Sequence, residues 1–252
     1  METIYNIDDF KFNFNPFSIK IGDNFFSKKG IHIDIKNKVQ KLDIYGDIKY
    51  SNSKNINTSL LNPNIMGPFS YVPFMECNHA ILSMQNSIKG SININNNRIN
   101  FNNGIGYTEK DWRCSFPKSY IWCQGNSFKR PNVSFMLSIA DVPFKLFSFK
   151  GIICVLIIDN QEFKFATYNN TKLIEYDIDN DSMNVTLKKG NYYLNIKSTY
   201  SVGLKLSAPV KGKMLKDIFE SISSSITVTL KKDNVIIFSD ISTNCGLEIV
   251  QE

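Results

Sequence analysis

Arginine is scarce in this chain, with Arg98, Arg113 and Arg130 the three among 252 residues. Nucleic-acid readers cluster basic side chains and use the forked guanidinium on phosphate and guanine, so a net charge of +6 carried by scattered lysines does not point to that class. Histidine is scarcer still: His32 and His79 are the whole supply, which argues against histidine-based metal or triad chemistry. The five cysteines are an odd number without a C-x-x-C pair, so neither a zinc ribbon nor a disulfide framework is indicated and reduced, cytosolic thiols are expected. Long apolar runs are missing too. The longest, Ile152 to Ile158, has seven residues against the roughly 20 that a membrane-spanning helix needs. The start of the chain, Met1 to Asp9, is acidic and lacks the basic and apolar regions of a secretory signal, which makes the expected location cytoplasmic. No phosphate-binding glycine loop, nucleophile elbow or H-E-x-x-H motif occurs, so no cofactor and no metal are expected.

What is present describes a packed, strand-rich body. Hydrophobic residues make up 42% of the chain against 21% charged, which excludes a disordered acidic or basic tail. Ile31 to Ile35, Ile44 to Tyr50, Ser87 to Ile94, Ile99 to Phe101, Met183 to Leu187, Tyr192 to Ile196 and Ile226 to Leu230 alternate apolar and polar residues, the period of a strand. Turn residues fall between them, as in Asn95-Asn96-Asn97, Asn102-Asn103-Gly104 and Lys188-Lys189-Gly190-Asn191. Short strands at such spacing predict a sandwich or barrel. One segment departs from this: Met214, Leu215, Ile218, Phe219 and Ile222 follow helical spacing and predict a short amphipathic helix near 213–224. A boundary is expected at the basic, proline-containing turn Lys129-Arg130-Pro131-Asn132, dividing the chain into 1–130 and 131–252.

Two stretches stand apart from the Ile/Asn-rich background, Asn64 to His79 and Gly104 to Phe128, and the second holds both tryptophans. As a strand, Ile105 to Trp112 places Tyr107, Glu109 and Asp111 on one face and Thr108, Lys110 and Trp112 on the other. Two enclosed carboxylates would repel one another and raise one pKa, leaving a proton for general-acid work; on solvent they would be ordinary surface charges. From Tyr120 to Phe128 the even positions Tyr120, Trp122, Gln124, Asn126 and Phe128 share a face that mixes aromatic and amide groups, as either a ligand-cavity wall or a satisfied polar core does. His79 reads as a hydrogen-bonded core residue. Pairing it with Glu76 would need a bulge or a bend after Pro73, and a Cys77/His79 nucleophile couple lacks an orienting third group.

With these residues in view, the chain resembles the tocopherol cyclase family. Gly106-Tyr107-Thr108-Glu109-Lys110-Asp111-Trp112, then Ser115-Phe116-Pro117, then Trp122-x-Gln124-x-Asn126-x-Phe128 is similar to the family's central signature. Met66-Gly67 with Val72-Pro73-Phe74-Met75-Glu76-Cys77-x-His79 resembles a second pattern, and Asn15-Pro16-Phe17, Phe165-Ala166-Thr167-Tyr168 and Gly246-Leu247-Glu248-Ile249 extend the similarity along the chain. Arg113 stands where the family usually has glycine, and the family's upstream Tyr-Phe-Glu-Gly-Trp-Tyr-like run has no counterpart, so the first barrel is expected to be incomplete.

The resemblance implies a mainly β fold of two consecutive lipocalin-like, calycin-type antiparallel barrels, with the one short helix in the second. It also implies a reaction: protonation of an alkene in a prenylated hydroquinone, then capture of the tertiary cation by the phenolic oxygen to close a chromanol ring, with no metal or nucleotide required. In that scheme Glu109 or Asp111 supplies the proton and Tyr107 orients it. Gln124 and Asn126 hold the phenol, Trp112 or Trp122 shields the cation, and Phe128, Glu76 and His79 complete the substrate-binding set. The expected partner is an apolar prenylated small molecule rather than nucleic acid; peripheral membrane contact and a homodimer are further expectations. The rival readings are a non-catalytic lipocalin-like carrier of an apolar ligand and a surface sandwich that binds glycans or proteins.

Overall fold

A computed structural model describes residues 3–73, 75, 77–112, 114–144, 147–179 and 182–251. Glu76 and Arg113 therefore lie outside the described residues. The chain is mainly β. Among the described residues the helical segments are three short 3-10 turns, Ile7–Asp9, Gly67–Tyr71 and Thr167–Asn169.

The first sheet is an antiparallel meander of β1 (Phe10–Phe14), β2 (Phe17–Ile21), β3 (Asn24–Ser27), β4 (Gly30–Asn37), β5 (Leu42–Lys54), β6 (Asn78–Ile94) and β7 (Asn97–Asn100). The strand β8 (Gly104–Trp112) also pairs with β6. Gly30 and Gly46 have φ of +146° and +155°, a region closed to residues with a Cβ, and a Cβ on either would run into the backbone of the adjoining strand.

The second sheet contains β9 (Tyr120–Gly125), β10 (Val133–Phe144), β11 (Phe147–Ile158), β12 (Gln161–Ala166), β13 (Lys172–Ile178), β14 (Ser182–Lys189), β15 (Tyr192–Thr199), β16 (Leu204–Val210), β17 (Lys213–Lys232) and β18 (Val235–Val250). Their order is β12-β11-β10-β9-β18-β17-β15-β14-β13, with β16 added on β17. The abundant asparagine has a structural use in these meanders. Asn95-Asn96, Asp159-Asn160 and Asp233-Asn234 fill two-residue hairpin turns in which both φ values are positive, the conformation Asn and Asp tolerate best after Gly.

Two expectations are corrected, and the chain divides elsewhere than at 130. The ladders close neither of the two expected barrels, of which the first is expected to be incomplete in any case, because among the described residues no pairing joins the ends of either sheet. The segment near 213–224 is not a helix but the first half of β17, paired with β16 and, further along, with β18. Of its apolar set only Ile218 is buried, while Met214, Leu215, Phe219 and Ile222 are exposed. Register shifts on β17 between Met214 and Lys216, opposite Pro209 and Ala208 of β16, and between Ser221 and Ser224 break strict alternation, and the resulting spacing imitates a helical face. Finally, position 130 falls inside one compact unit. The units are 1–55 with 85–108, and 56–84 with 109–252; β9 and β10 flank the expected boundary and pair residue for residue, Ile121 with Ile139 and Cys123 with Leu137.

The larger unit buries most of the core. Register puts Ile121, Cys123, Leu137, Ile139, Cys154, Leu156 and Leu247 on one side of the sheet, where they pack with Val185, Leu194, Ile196 and Val228. The opposite side of the same strands carries Tyr120, Trp122, Ser138, Ala140 and Glu248. Those residues line a cavity.

Candidate active site

A cavity of about 630 Å³ opens on that second side, and every residue lining it belongs to the larger unit. Its room comes from small side chains: Ser138, Ala140 and Gly151 occupy positions where the core face has Leu137, Ile139 and Ile152. The facing wall is the irregular stretch ahead of β6, with Met66, Phe69, Val72, Pro73 and Met75 lining the cavity. Tyr168 fixes this wall by donating its hydroxyl to the Ile65 carbonyl at 2.9 Å, and its ring lies so close to Gly67 (φ +59°) that a Cβ there would sit 2.6 Å from the ring. Asn64 braces the same turn, accepting from the Met66 backbone N–H at 2.9 Å and from the Ser70 hydroxyl at 2.6 Å.

One end of the cavity is polar. His79 on β6 and Glu109 and Asp111 on β8 meet there: Nδ1 of His79 lies 2.7 Å from Asp111 Oδ1, and Nε2 lies 3.1 Å from Glu109 Oε2. The Nε2 contact is close enough for an ion pair but poorly aligned as a hydrogen bond, so Asp111 holds the directed one. Burial alone would lower the His79 pKa, but the close contacts and charges of Asp111 and Glu109 outweigh it and push the value up to about 10. His79 is therefore an imidazolium at neutral pH, and it is the cation between two carboxylates that alternation correctly puts on one face. Each of the three offers a ligand atom within 4.8 Å of the others, so a divalent cation would fit their donor set only by displacing the His79 proton.

A second acid pair faces this triad. Glu248 on β18 is cross-strand neighbour to Trp122 on β9 and to Glu220 on β17, and Tyr120 donates its hydroxyl to Glu248 Oε2 at 2.6 Å. Burial raises the Glu248 pKa, the Tyr120 hydrogen bond lowers it, and the negative Glu220, Glu109 and Asp111 raise it again, to about 7. The Trp122 indole N–H donates to Glu109 Oε2 at 3.3 Å and so links the two groups. Gly246 gives the Trp122 ring its space, since a Cβ there would lie 2.7 Å from it. Cys77 also lines the cavity, but burial and the charges of Asp111 and Glu109 push its thiol up to about 12. With both nitrogens of His79 facing carboxylates, a Cys77/His79 nucleophile couple is ruled out.

Of the residues singled out from the sequence, Glu109, Asp111, His79 and Trp122 come together in the cavity wall. Tyr107, Trp112, Gln124, Asn126 and Phe128 are not among its lining residues. Trp112 is 41% exposed with the Lys110 ammonium 4.7 Å above its ring, Asn126 donates to the Met84 carbonyl, and Phe128 packs into the core against Phe238. For Asn126 and Phe128 the expected face ends because β9 stops at Gly125, after which alternation no longer applies. Tyr120 lines the cavity, as a residue of the expected cavity wall, and Glu248, to which no sequence pattern assigns a chemical role, lines it as well.

The comparisons with known proteins agree with the motifs. A sequence model described as tocopherol cyclase-like matches residues 47–250. The chain belongs to the tocopherol cyclase-like family. Among solved structures it is similar to kievitone hydratase from Nectria haematococca, at 11% identity and a TM-score of 0.51, over 88% of this chain and 65% of that one. It thus spans just under two thirds of that protein's length, and the likeness is one of fold. A putative AttH from Nitrosomonas europaea aligns at 13% identity and a TM-score of 0.48, over 91% of this chain and 68% of that one. No curated protein matches the sequence.

Proposed function

We propose that this chain is an acid-catalysed cyclase of prenylated hydroquinones or related terpenoid lipids, and that Glu248 is its proton donor. The observation that carries the reading is a carboxyl group with a pKa of about 7 in the wall of a largely apolar cavity, hydrogen-bonded to a tyrosine. An acid poised near the working pH is the protonation state an alkene needs, and apolar walls suit a prenyl chain. Family membership supports the same chemistry. A carrier would need the cavity but not the acid.

The steps balance without a co-reactant. Glu248 gives its proton to the less substituted alkene carbon, and the alkene π electrons form the new C–H bond, leaving a tertiary cation and the Glu248 carboxylate. The phenolic oxygen then forms a C–O bond to the cation, and its proton returns to Glu248. Glu109 and Asp111, fixed by His79, lie in the same wall as negative charge toward the cation, and the Trp122 face adds cation–π attraction. This assigns the donor role to Glu248 and makes Glu109 and Asp111 stabilisers. Capture of the same cation by water would instead give hydration, the activity in the name of the Nectria haematococca protein.

The test is turnover of a prenylated hydroquinone in D₂O. The expected product is the ring-closed isomer with one deuterium on carbon, and Glu248→Gln should slow its formation by about 10²–10⁴-fold. Equal turnover by Glu248→Gln removes Glu248 as donor; tight binding without turnover by the native protein favours the carrier.

A further inference from the structure

We infer that the β16–β17 hairpin is a membrane-docking element that sets the cavity rim against an anionic phospholipid surface. This goes beyond the reaction proposed above and does not depend on it. The hairpin turns through Lys211-Gly212, and its exposed side chains on β17 include Met214, Leu215, Phe219 and Ile222, at 59%, 70%, 53% and 64% exposure. Four large apolar residues exposed within nine positions of one strand are unusual on a water-facing surface.

Charge complementarity selects the occupant. Lys211 and Lys213 at the turn are exposed and make no ion pair with any described residue. The hairpin's own carboxylate at this end, Asp217, is taken by Lys205 at 2.7 Å. Apolar side chains flanked by free ammonium groups match a lipid interface, where acyl chains take the former and anionic headgroups the latter. A second copy of this chain would present the same lysines and repel them.

The hairpin is also attached to the cavity. The Gly212 N–H donates to the Cys114 carbonyl, the Lys211 N–H to the Ser115 hydroxyl, and the Phe116 N–H to the Pro209 carbonyl. Lys216 Nζ donates to the Lys118 carbonyl at 2.8 Å, and Phe116 and Pro117 between these anchors line the cavity. A lipid surface at the hairpin would therefore adjoin the cavity rim, which gives an apolar ligand a short path that avoids bulk water.

The experiment is co-sedimentation of the full chain with phosphatidylcholine vesicles, with and without phosphatidylglycerol. The expected result is binding that requires phosphatidylglycerol and falls with salt. At about fivefold per lysine, Lys211→Gln with Lys213→Gln should weaken it at least tenfold, and Leu215→Ser with Phe219→Ser should remove it. The same neutralisation at exposed Lys172 on β13 and at exposed Lys197 on β15, which pairs with Thr227 in the far half of β17, should leave it within about twofold. An unchanged thermal melt verifies the fold of each variant, and Leu215→Trp should show emission shifted to the blue only with anionic vesicles. No binding by the native chain overturns the inference, as does equal loss in the Lys172/Lys197 control. A concentration-dependent dimer dissolved by the Leu215/Phe219 variant, without vesicle binding, also overturns it and assigns the surface to a second copy.

Discussion

If Glu248 is the proton donor, two substitutions should move the alkaline limb of the pH–rate profile in opposite directions. With the native residue, kcat/KM should fall as pH rises through about 7, because the donor form of Glu248 is lost there. The Tyr120 hydrogen bond favours the charged carboxylate. A hydrogen bond to a charged group contributes about 1.5–3 kcal/mol, and 1.36 kcal/mol corresponds to one pH unit, so Tyr120→Phe should raise the limb by about 1–2 units. Glu220 acts the other way, as a negative cross-strand neighbour. Carboxylates about 6–8 Å apart at an effective dielectric of ~20 repel by about 2–3 kcal/mol. Burial and the nearby Glu109 raise the Glu220 pKa as well, which reduces its share of the repulsion, and Glu220→Gln should lower the limb by about one unit. The profiles can be checked against the carboxyl C=O infrared band, read as the difference from Glu248→Gln. Limbs that stay put, or that move together in both variants, would refute the electrostatic account.

Other consequences follow from the same geometry. His79→Leu leaves Glu109 and Asp111 without their cation and should cost about 3–5 kcal/mol in denaturant unfolding. Because the folded His79 pKa of about 10 lies above its ordinary 6.5, this stabilisation is complete below pH 6.5 and is lost as pH rises through 10, so native and variant stabilities should converge in that window. Gly246→Ala should push the Trp122 ring off its site, seen as a change in tryptophan emission and about a tenfold loss of prenylquinol binding, roughly 1.4 kcal/mol. Thiol labelling followed by mass spectrometry should modify exposed Cys114 first and Cys77 slowly, and should reach Cys123, Cys154 and Cys245 only on unfolding, since burial raises the pKa of each of those three.

How much of this could be read from residues alone depended on the distance over which the argument ran. Alternation in Gly104–Trp112 correctly separates Glu109 and Asp111 from Trp112, because period two is a local property of a strand. The same rule fails after Gly125, where β9 ends and Asn126 and Phe128 turn to other partners. At 214–222 two register shifts scatter exposed apolar residues into a helical spacing, so the local pattern misleads. Glu248 illustrates the harder limit. It is an acid between buried Leu247 and half-buried Ile249, but its partners Tyr120, Trp122 and Glu220 are fixed by cross-strand register, which no short-range pattern encodes. A usable signal did exist: Gly246 two residues before an acid on one strand face marks a close approach, and that face proves to carry Trp122.

The charge balance of the site explains why it needs all of these residues. Glu109, Asp111, Glu220 and Glu248 could contribute four negative charges, against the single positive charge of His79. Full ionisation in a cavity with apolar walls is costly, so a proton is retained, and it rests on Glu248, where burial and three negative neighbours favour it. The same surplus of negative charge is what a developing carbocation requires. In the proposed reaction, once Glu248 releases its proton, the carboxylate left behind and the pair held by His79 face the cation together. A weaker cluster would lower the pKa of the donor and leave it ionised at neutral pH; a cluster without His79 would be too repulsive to hold Glu109 and Asp111 in place. On this argument His79 acts as a positioning residue, and its replacement should reduce kcat more than it raises KM, because the preorganised charge it maintains is used in the transition state.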